Sequence, residues 1–472
     1  MDDIQFTPPR RRRRRRRSKL PYVVFVLALV LVAMIIVATI GIAGRNKPDD
    51  SSLNNPTGNP QITTQSQNKT DPTDPSRDTT VPTDPPGVKL ESTATITATG
   101  DMLMHMPCVR PCETSDGSYD FTPYFTHLTD YIKSADYAVA NLETTLAGLG
   151  NGYPYQGYPS FNCPDGIVYS LQDVGFDMLL TANNHCYDTG SKGYHRTQQV
   201  LKEAGMDYIG TFSSTEDAKY LVKEINGIKV GMVCYTYEDA ASTDVVAPNG
   251  MTMSNADEVL INAFNDKHLD IFYDEMKQHI SDMEAEGAEA VVLYIHWGVE
   301  YQRKQNKTQE TIAQKMCDLG VDVIVGGHPH VIQPMDLLTS NTDPEHKTVC
   351  LYSTGNALSN QRLGNISYVN TAHTEDGILF NFSFARYSDG TVRLEEVELV
   401  PTWINLYTSS ATGKKVYDIL PLDDQIEDWK TQLDLTDNTL EKAEASYDRT
   451  MEIVGEGLKE VQEYLATLPP VE

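Results

Sequence analysis

The chain is 472 residues long, 22% charged and 40% hydrophobic, with a formal net charge of −28. That length allows one large domain or two to three ordinary ones. So acidic a chain repels a phosphate backbone, which argues against a nucleic-acid partner.

The basic residues that do stand out are gathered at the start. Arg10 through Arg17 and Lys19 face only Asp2 and Asp3 within residues 1–19, so the body of the chain is more acidic still. From Leu20 to Ala43 runs LPYVVFVLALVLVAMIIVATIGIA, without a single charge. At about 1.5 Å per helical residue, such a run crosses the roughly 30 Å hydrocarbon core of a bilayer. It predicts a transmembrane helix over 20–43, in contact with membrane lipid. The arginines before it, against only Arg45 and Lys47 just after it, orient a single-pass protein in the cell membrane. The tail 1–19 is then cytoplasmic and the main domain extracellular. A cleaved signal peptide is the rival reading, but the run is long for one and lacks a clear small-x-small cleavage site.

Residues 44–91 are rich in Pro, Thr, Asp, Ser and Asn, with the pieces DPTDP and VPTDPP. Such composition builds no core and reads as an extended spacer. Order is expected from the β-rich run Ser92 to Ala98, which ends at Gly100 and Asp101. A repeating pattern of strand, polar tip and helix follows. Tyr137 to Ala140 is a short buried strand ending at Asn141 and Glu143. Val174 to Leu180 leads into TANNHCYDTG (Thr181 to Gly190), and Gly193 to Ala204 reads as a helix. Ile228 to Tyr235 is a strand, Ala256 to Glu286 mostly helical, and Ala290 to Ile295 a strand that ends at His296. Gln309 to Leu319 is a helix, and Val321 to Val325 a strand ending in the turn Gly326 to His330. Val349 to Tyr352 and Ile378 to Phe384 add strands, and Asp423 to Leu468 reads as two helices. Apolar strands separated by helices indicate an α/β domain with a largely buried sheet.

The seven cysteines are sparse for this length, and their odd number leaves at least one thiol unpaired within the chain. Cys108 and Cys112 are near enough in sequence to bridge, but their spacing is no zinc ribbon. Structural thiols are the expectation.

The strand tips are where chemistry gathers. They carry Asp101 with His105, Asn141 with Glu143, Asn183, Asn184 and His185 with Asp188 (Asn183 best explained as turn-making), then His296, and finally His328 with His330. Ligands of α/β sheets sit beyond the carboxyl ends of the strands, so these side chains can converge. A lone histidine at a strand end is more often structural, yet five of the eleven lie at these tips. Imidazole and carboxylate oxygen together suit Mn, Fe or Zn. A bridging carboxylate with several imidazoles is a sensible clamp for two metal ions.

Six motifs in order carry a resemblance. They are GDMLMH (Gly100 to His105), NLE (Asn141 to Glu143), ANNHCYDTG (Ala182 to Gly190), HWGVEY (His296 to Tyr301), GHPHVIQP (Gly327 to Pro334) and YSTGN (Tyr352 to Asn356). Together they resemble the CapA-type capsule or poly-gamma-glutamate biosynthesis family, over roughly residues 93 to 390. That family is similar to the calcineurin-like metallophosphoesterases, so the resemblance implies a four-layer α-β-β-α fold with two facing sheets. It also implies two divalent transition-metal ions. Asp101 and His105 would hold one, Glu143 would bridge, and Asn184 and His296 would hold the second. His328 and His330 would each add an imidazole, with His185 as the catalytic acid or transition-state stabiliser oriented by Asp188. Two departures stand out: His105 follows Asp101 at a longer spacing than in the metallophosphoesterases, and Glu143 replaces their bridging aspartate.

The expected domains are a basic tail (1–19), an anchor (20–43), a spacer (44–91), the CapA-like domain (92–395) and a mostly helical extension (396–472). The expected function is that of a membrane-anchored, extracytoplasmic capsule or poly-gamma-glutamate biosynthesis protein. It would be a metal-dependent, phosphoesterase-like hydrolase acting on an envelope or capsule polymer or its precursor. The alternative is a non-catalytic polymer-handling or export subunit of a membrane synthase complex with a structural or vestigial metal site. A secreted nuclease or nucleotidase would keep the chemistry and change the substrate.

Overall fold

In the computed structural model the described residues are 88–150, 152–242, 245–364, 371–424, 426 and 428–468. All of them belong to the unit Pro82–Glu472. The chain lays down four strands, β1 (Leu90–Met102), β2 (Tyr137–Leu142), β3 (Met178–Leu180) and β4 (Asp207–Ile209), side by side and parallel. It then crosses to a second sheet. That sheet holds β5 (Leu221–Ile225), β6 (Ile228–Tyr237), β7 (Ala263–Phe264), β8 (Ala290–His296), β9 (Val323–Gly327), β10 (Ile332–Thr339) and β11 (Lys347–Thr354). It returns to the first with β12 (Asn356–Leu358), β13 (Asp376–Tyr387), β14 (Val392–Thr408) and β15 (Lys415–Pro421). The first sheet runs β15-β14-β13-β1-β2-β3-β4, with β12 beside β1; the second runs β10-β11-β9-β8-β6-β5, with β7 beside β6. Both sheets are mixed, since β6, β8, β9 and β11 are parallel while β5 and β10 are antiparallel to their neighbours.

Alternation explains how the sheets face each other. In β1 the period of two turns Ala94, Ile96 and Ala98 into a core shared with Val230, Met232, Tyr294 and Phe380 of other strands. The intervening Thr95 and Thr97 turn the other way, and their hydroxyls meet Ser383 and Asn381 across β13 at 2.9 and 2.7 Å. Helices cover the outer faces. On the first sheet α1 (Gly166–Val174) and α2 (Gly190–Ala204) bury Ile167, Leu171, Val200 and Leu201 against Leu179 and Ala140. On the second, α3 (Leu269–Ala285) and α4 (Lys307–Asp318) bury Phe272, Met276, Ile312 and Met316 against Val233 and Leu293. A capping box starts α4, with Asn306 and Gln309 each accepting from the other's backbone N–H. The long α5 (Asp437–Leu465) sends Val454 and Val461 into the inter-sheet core beside β10 and β14.

The architecture is thus an α/β sandwich of two mixed sheets flanked by helices. The expected fold included a transmembrane helix, and this needs correction. Among the described residues no helix is long and apolar enough to cross a membrane. Residues 20–43, on which that expectation rested, lie outside the described residues, as do the tail 1–19 and most of the spacer. The single-pass topology with a cytoplasmic N-terminus and an extracellular main domain, and the lipid contact through 20–43, lose their structural support with it.

Two local expectations also differ. The stretch from Ala256 is helical only from Leu269, because residues before it form the short β7 against β6. The boundary expected at 395 falls inside β14, whose pairing with β13 and β15 continues the first sheet. All seven cysteines are free and buried.

Candidate metal centre

Every polar tip named above lies at the carboxyl end of a parallel strand, and the two sheets present these ends to one another. Asp101 is next to last in β1, where the ladder shifts register. Gly100 makes that position accessible: a Cβ there would lie 2.0 Å from the Gly355 carbonyl oxygen. Glu143 follows β2, Asn184 and His185 follow β3, His296 ends β8, and His328 and His330 follow β9. His328 and His330 adopt φ of 94° and 54°, a left-handed backbone that few side chains tolerate and that functional turns tend to retain.

Two groups of ligating atoms form, and Glu143 belongs to both. Asp101, Glu143 and His296 bring one ligand atom each within 4.8 Å of one another, and Glu143, His328 and His330 do the same. His330 Nδ1 donates to Asp101 Oδ2 at 3.1 Å, while its Nε2 stands 3.8 Å from Glu143 Oε1. His296 Nε2 stands 3.4 Å from the same Glu143 oxygen and donates to Asn184 Oδ1 at 2.9 Å. Asp101 and Glu143 are therefore the carboxylates grouped with His296, and Asn184 brings an amide oxygen beside them.

Electrostatics make the cluster short of positive charge. Burial pushes the Asp101 carboxyl up, but the His330 hydrogen bond and the His296 and His330 charges outweigh it and leave the pKa lowered. Burial drives His328 well below the usual imidazole range, with His296 and His330 adding to the effect. Burial acts the same way on His330, yet Glu143 and Asp101 overcome it and raise its pKa to about 9.

The residues present fit metal ions. Both oxygens of Glu143 and the Nδ1 of His328 are buried without a hydrogen-bond partner among the described residues. Such atoms cost about 1–3 kcal/mol each, more for a charged group, unless something completes them. Gly327 keeps the space clear, since a Cβ there would lie 2.8 Å from Asp101 Oδ1. Oxygen and imidazole donors without thiolate suit divalent ions that are not soft.

His185 lies beside the cluster and close to Glu143 in charge terms. Its Nδ1 donates to Asp188 Oδ2 at 2.8 Å, and the Phe161 N–H donates to the same oxygen at 2.6 Å. Burial opposes the proton on His185, but the Asp188 bond and charge prevail and raise its pKa. His105 stands apart from both groups. Its ring packs edge-on to Phe161 at 5.1 Å, and Phe161 in turn packs edge-on to His185 at 4.7 Å. Burial lowers the His105 pKa to about 4. Cys186 is buried, and burial pushes its thiol up to about 12, which leaves it inert.

Three residues given no chemical role above also belong here. Asn141 Nδ2 donates to Asp101 Oδ1 at 2.8 Å. Asn183, read as turn-making, donates through Nδ2 to Asn141 Oδ1 and the Leu142 carbonyl at 3.1 and 2.9 Å, bracing the tip of β2. Tyr237 ends β6 and packs on His328 at 4.7 Å. Its place at a strand tip was the available signal. Trp297 is a packing residue, its Nε1 donating to the Tyr352 carbonyl at 2.9 Å, and Tyr301 lies 6.2 Å from the His330 ring.

Similarity to known proteins agrees with this geometry. The family model described as "Bacterial capsule synthesis protein PGA_cap" matches residues 95–361, which include every residue of the cluster. The chain is 29% identical over 271 residues to the capsule biosynthesis protein CapA of Bacillus anthracis, covering 57% of this chain and 60% of that one. It is 26% identical over 278 residues to the PGA biosynthesis protein CapA of Bacillus subtilis (strain 168), covering 58% and 64%. The chain therefore matches less than two thirds of the length of these curated relatives. The purple acid phosphatase PPD1 of yellow lupin seeds aligns over 70% of this chain and 54% of its own, at 11% identity and a TM-score of 0.28. A likeness at that score carries no argument.

The expected function is corrected accordingly. The described residues form a globular domain with two candidate metal-binding groups, and none of their helices is long and apolar enough to cross a membrane. An envelope or capsule polymer and a membrane synthase or export complex were expected as partners; no observation on the described residues supports either.

Proposed function

The chain belongs to the bacterial capsule synthesis protein PGA_cap family, and from that membership we propose that it is a metal-dependent hydrolase that cleaves a phosphoester. The observation that carries this reading is Glu143, a buried carboxylate shared by two ligand groups, neither of whose oxygens has a hydrogen-bond partner among the described residues. Asp101, Glu143 and His296, with Asn184 beside them, would hold one divalent ion. Glu143, His328 and His330 would hold the other. When bound, such ions would supply Lewis acidity and lower the pKa of water. The chain's own residues do the rest. Asp101 is held by the His330 imidazole, the His328 N–H and the Asn141 amide. Asp188 fixes the His185 ring through Nδ1, which leaves Nε2 to carry a proton to or from the substrate oxygen. His105 has a supporting place behind Phe161 in this reading. Capsule synthesis, the process in the relatives' names, is where we propose this reaction serves.

The test is elemental analysis of the purified full-length chain, followed by a panel of phosphomonoesters and phosphodiesters with Mn, Fe or Zn. About two ions per chain and metal-dependent hydrolysis are expected, with Glu143→Gln losing both. A chain that takes up none of these metals, or loads them and hydrolyses nothing in the panel, would sink the proposal.

A further inference from the structure

We propose that Phe161 is a positioning residue for His185, its ring setting the plane of the imidazole and its backbone N–H fixing the Asp188 oxygen that the imidazole bonds. The inference rests on the phosphoester reading above and adds to it the group that decides where His185 Nε2 points.

The backbone comes first. Asp188 Oδ2 receives both the His185 Nδ1–H at 2.8 Å and the Phe161 N–H at 2.6 Å. Asp188 Oδ1 has no hydrogen-bond partner among the described residues, so the carboxylate is steered through that one shared oxygen. The carbonyl of Phe161 is tied to the same turn. It accepts from Thr145 Oγ1 at 2.6 Å, and that hydroxyl accepts from Thr189 Oγ1, one residue past Asp188, at 2.8 Å. Both polar groups of the Phe161 backbone thus reach the turn that carries His185, and a change of side chain leaves both bonds available.

The ring comes second. A single hydrogen bond at Nδ1 leaves an imidazole free to tilt about that bond, and a tilt swings Nε2 off its target. The Phe161 ring opposes the tilt. It stands edge-on to His185, with 88° between the planes and 4.7 Å between centroids, a favoured arrangement of aromatic rings. Phe161 is itself held in place: it is fully buried, and His105 packs edge-on to it at 5.1 Å and 90°. His105 Nδ1 lies 3.2 Å from the Leu103 carbonyl, which anchors the outer ring of the row. His105 belongs to neither ligand group, and its task here is to back Phe161.

The probes are glycerol 2-phosphate and glycerophosphocholine, a monoester and a diester whose alkoxide leaving groups need a proton. Hydrolysis by the metal-loaded full-length chain is compared in wild type, Phe161→Leu, His185→Ala and the double variant, with metal content measured in each. Phe161→Leu alone should lower kcat about tenfold to a hundredfold with KM and bound metal unchanged, the cost of a catalytic group misplaced by about 1 Å. In the His185→Ala background the same change should have no effect, because no imidazole is left to place. An equal loss in both backgrounds shows that the ring supports the site as a whole and overturns the inference. An undiminished kcat or a loss of metal in Phe161→Leu overturns it as well. Phe161→Met, which fills more of the ring's volume without its flat face, is read in the same way if Phe161→Leu folds poorly. Wild-type kcat in His185→Ala overturns the inference while metal-dependent hydrolysis stands. A wild-type chain that loads metal and cleaves neither ester overturns the phosphoester reading itself, and this inference with it.

Discussion

Glu143 and Gly327 show how single residues shape the centre by opposite means. Glu143 places two oxygens where no hydrogen-bond donor among the described residues meets them, and Gly327 withholds the one carbon that would crowd Asp101. Asp101 cannot yield to a larger residue, because the His328 N–H, the His330 ring and the Asn141 amide hold it from three sides. Gly327→Ala should therefore lower metal affinity at least tenfold and cost roughly 1–3 kcal/mol of stability, the range for overpacking. Metal titration and chemical denaturation of the variant check both; unchanged metal affinity would show that Asp101 is free to move. Asn183→Ala should cost roughly 1–3 kcal/mol, since it strips a buried partner from Asn141 Oδ1 and from the Leu142 carbonyl. Denaturation midpoints measure it. At this scale the sequence revealed residue types with unusual donors at strand ends. It could not reveal Asn141 and Asn183 as braces, because an asparagine in a turn and one reaching across strands look alike in sequence. His105 and Tyr237 show the converse: the motif resemblance singled out His105 despite its long spacing from Asp101, whereas only packing brings Tyr237 onto His328 and leaves His105 behind Phe161.

At the scale of elements, the C-terminal helix α5 lies beyond the family match yet is tied to the wall of the centre. Arg449 and Ser446 of α5 both bond the carboxylate of Asp376 at the start of β13. Thr374, two residues earlier, accepts through its carbonyl from Asn356 Nδ2, and the same amide donates to the His330 carbonyl at 3.1 Å. Burial raises the Asp376 pKa to about 6 even against the opposing pull of Arg449. A folded pKa above the unfolded value near 3.8 means the protonated form is the favoured guest of the fold. Its stabilising contribution is complete below about pH 4 and is lost as pH rises through 6. Arg449→Met should then destabilise the protein by about 3 kcal/mol at pH 7.5, where it leaves a buried carboxylate alone. The penalty should shrink toward pH 4.5, where Asp376 is protonated in the variant. Urea denaturation of both proteins at the two pH values measures the difference, and a pH-independent penalty would exclude this pair as its source. That α5 is a helix was legible from its charged pattern. That β14 and β15 precede it as strands of the first sheet was not, because they join that sheet through β13, whose own partner β1 lies far back in sequence.

Across the whole molecule, the candidate ligands come from both sheets: Asp101, Glu143 and Asn184 from one, His296, His328 and His330 from the other. Metal ions there would clamp the sandwich at one end. Bound ions should raise the melting temperature, by an amount set by the logarithm of free metal over its dissociation constant, about 2.7 kcal/mol at a hundredfold excess. Chelation should reverse the gain, and calorimetric scans with and without chelator test it; identical melting curves would mean the clamp does not form. The sequence by itself determined the α/β class, the strand tips and the motif order that marks the family, because those follow from local periodicity and short-range spacing. It also predicted a membrane-crossing helix over residues 20–43; among the described residues no helix is long and apolar enough to serve as one. Only the tertiary structure decided which tips meet, that Glu143 is shared by both groups, and that Tyr237 covers them. Those outcomes depend on how two twisted sheets pack face to face, and no local stretch of sequence encodes that register.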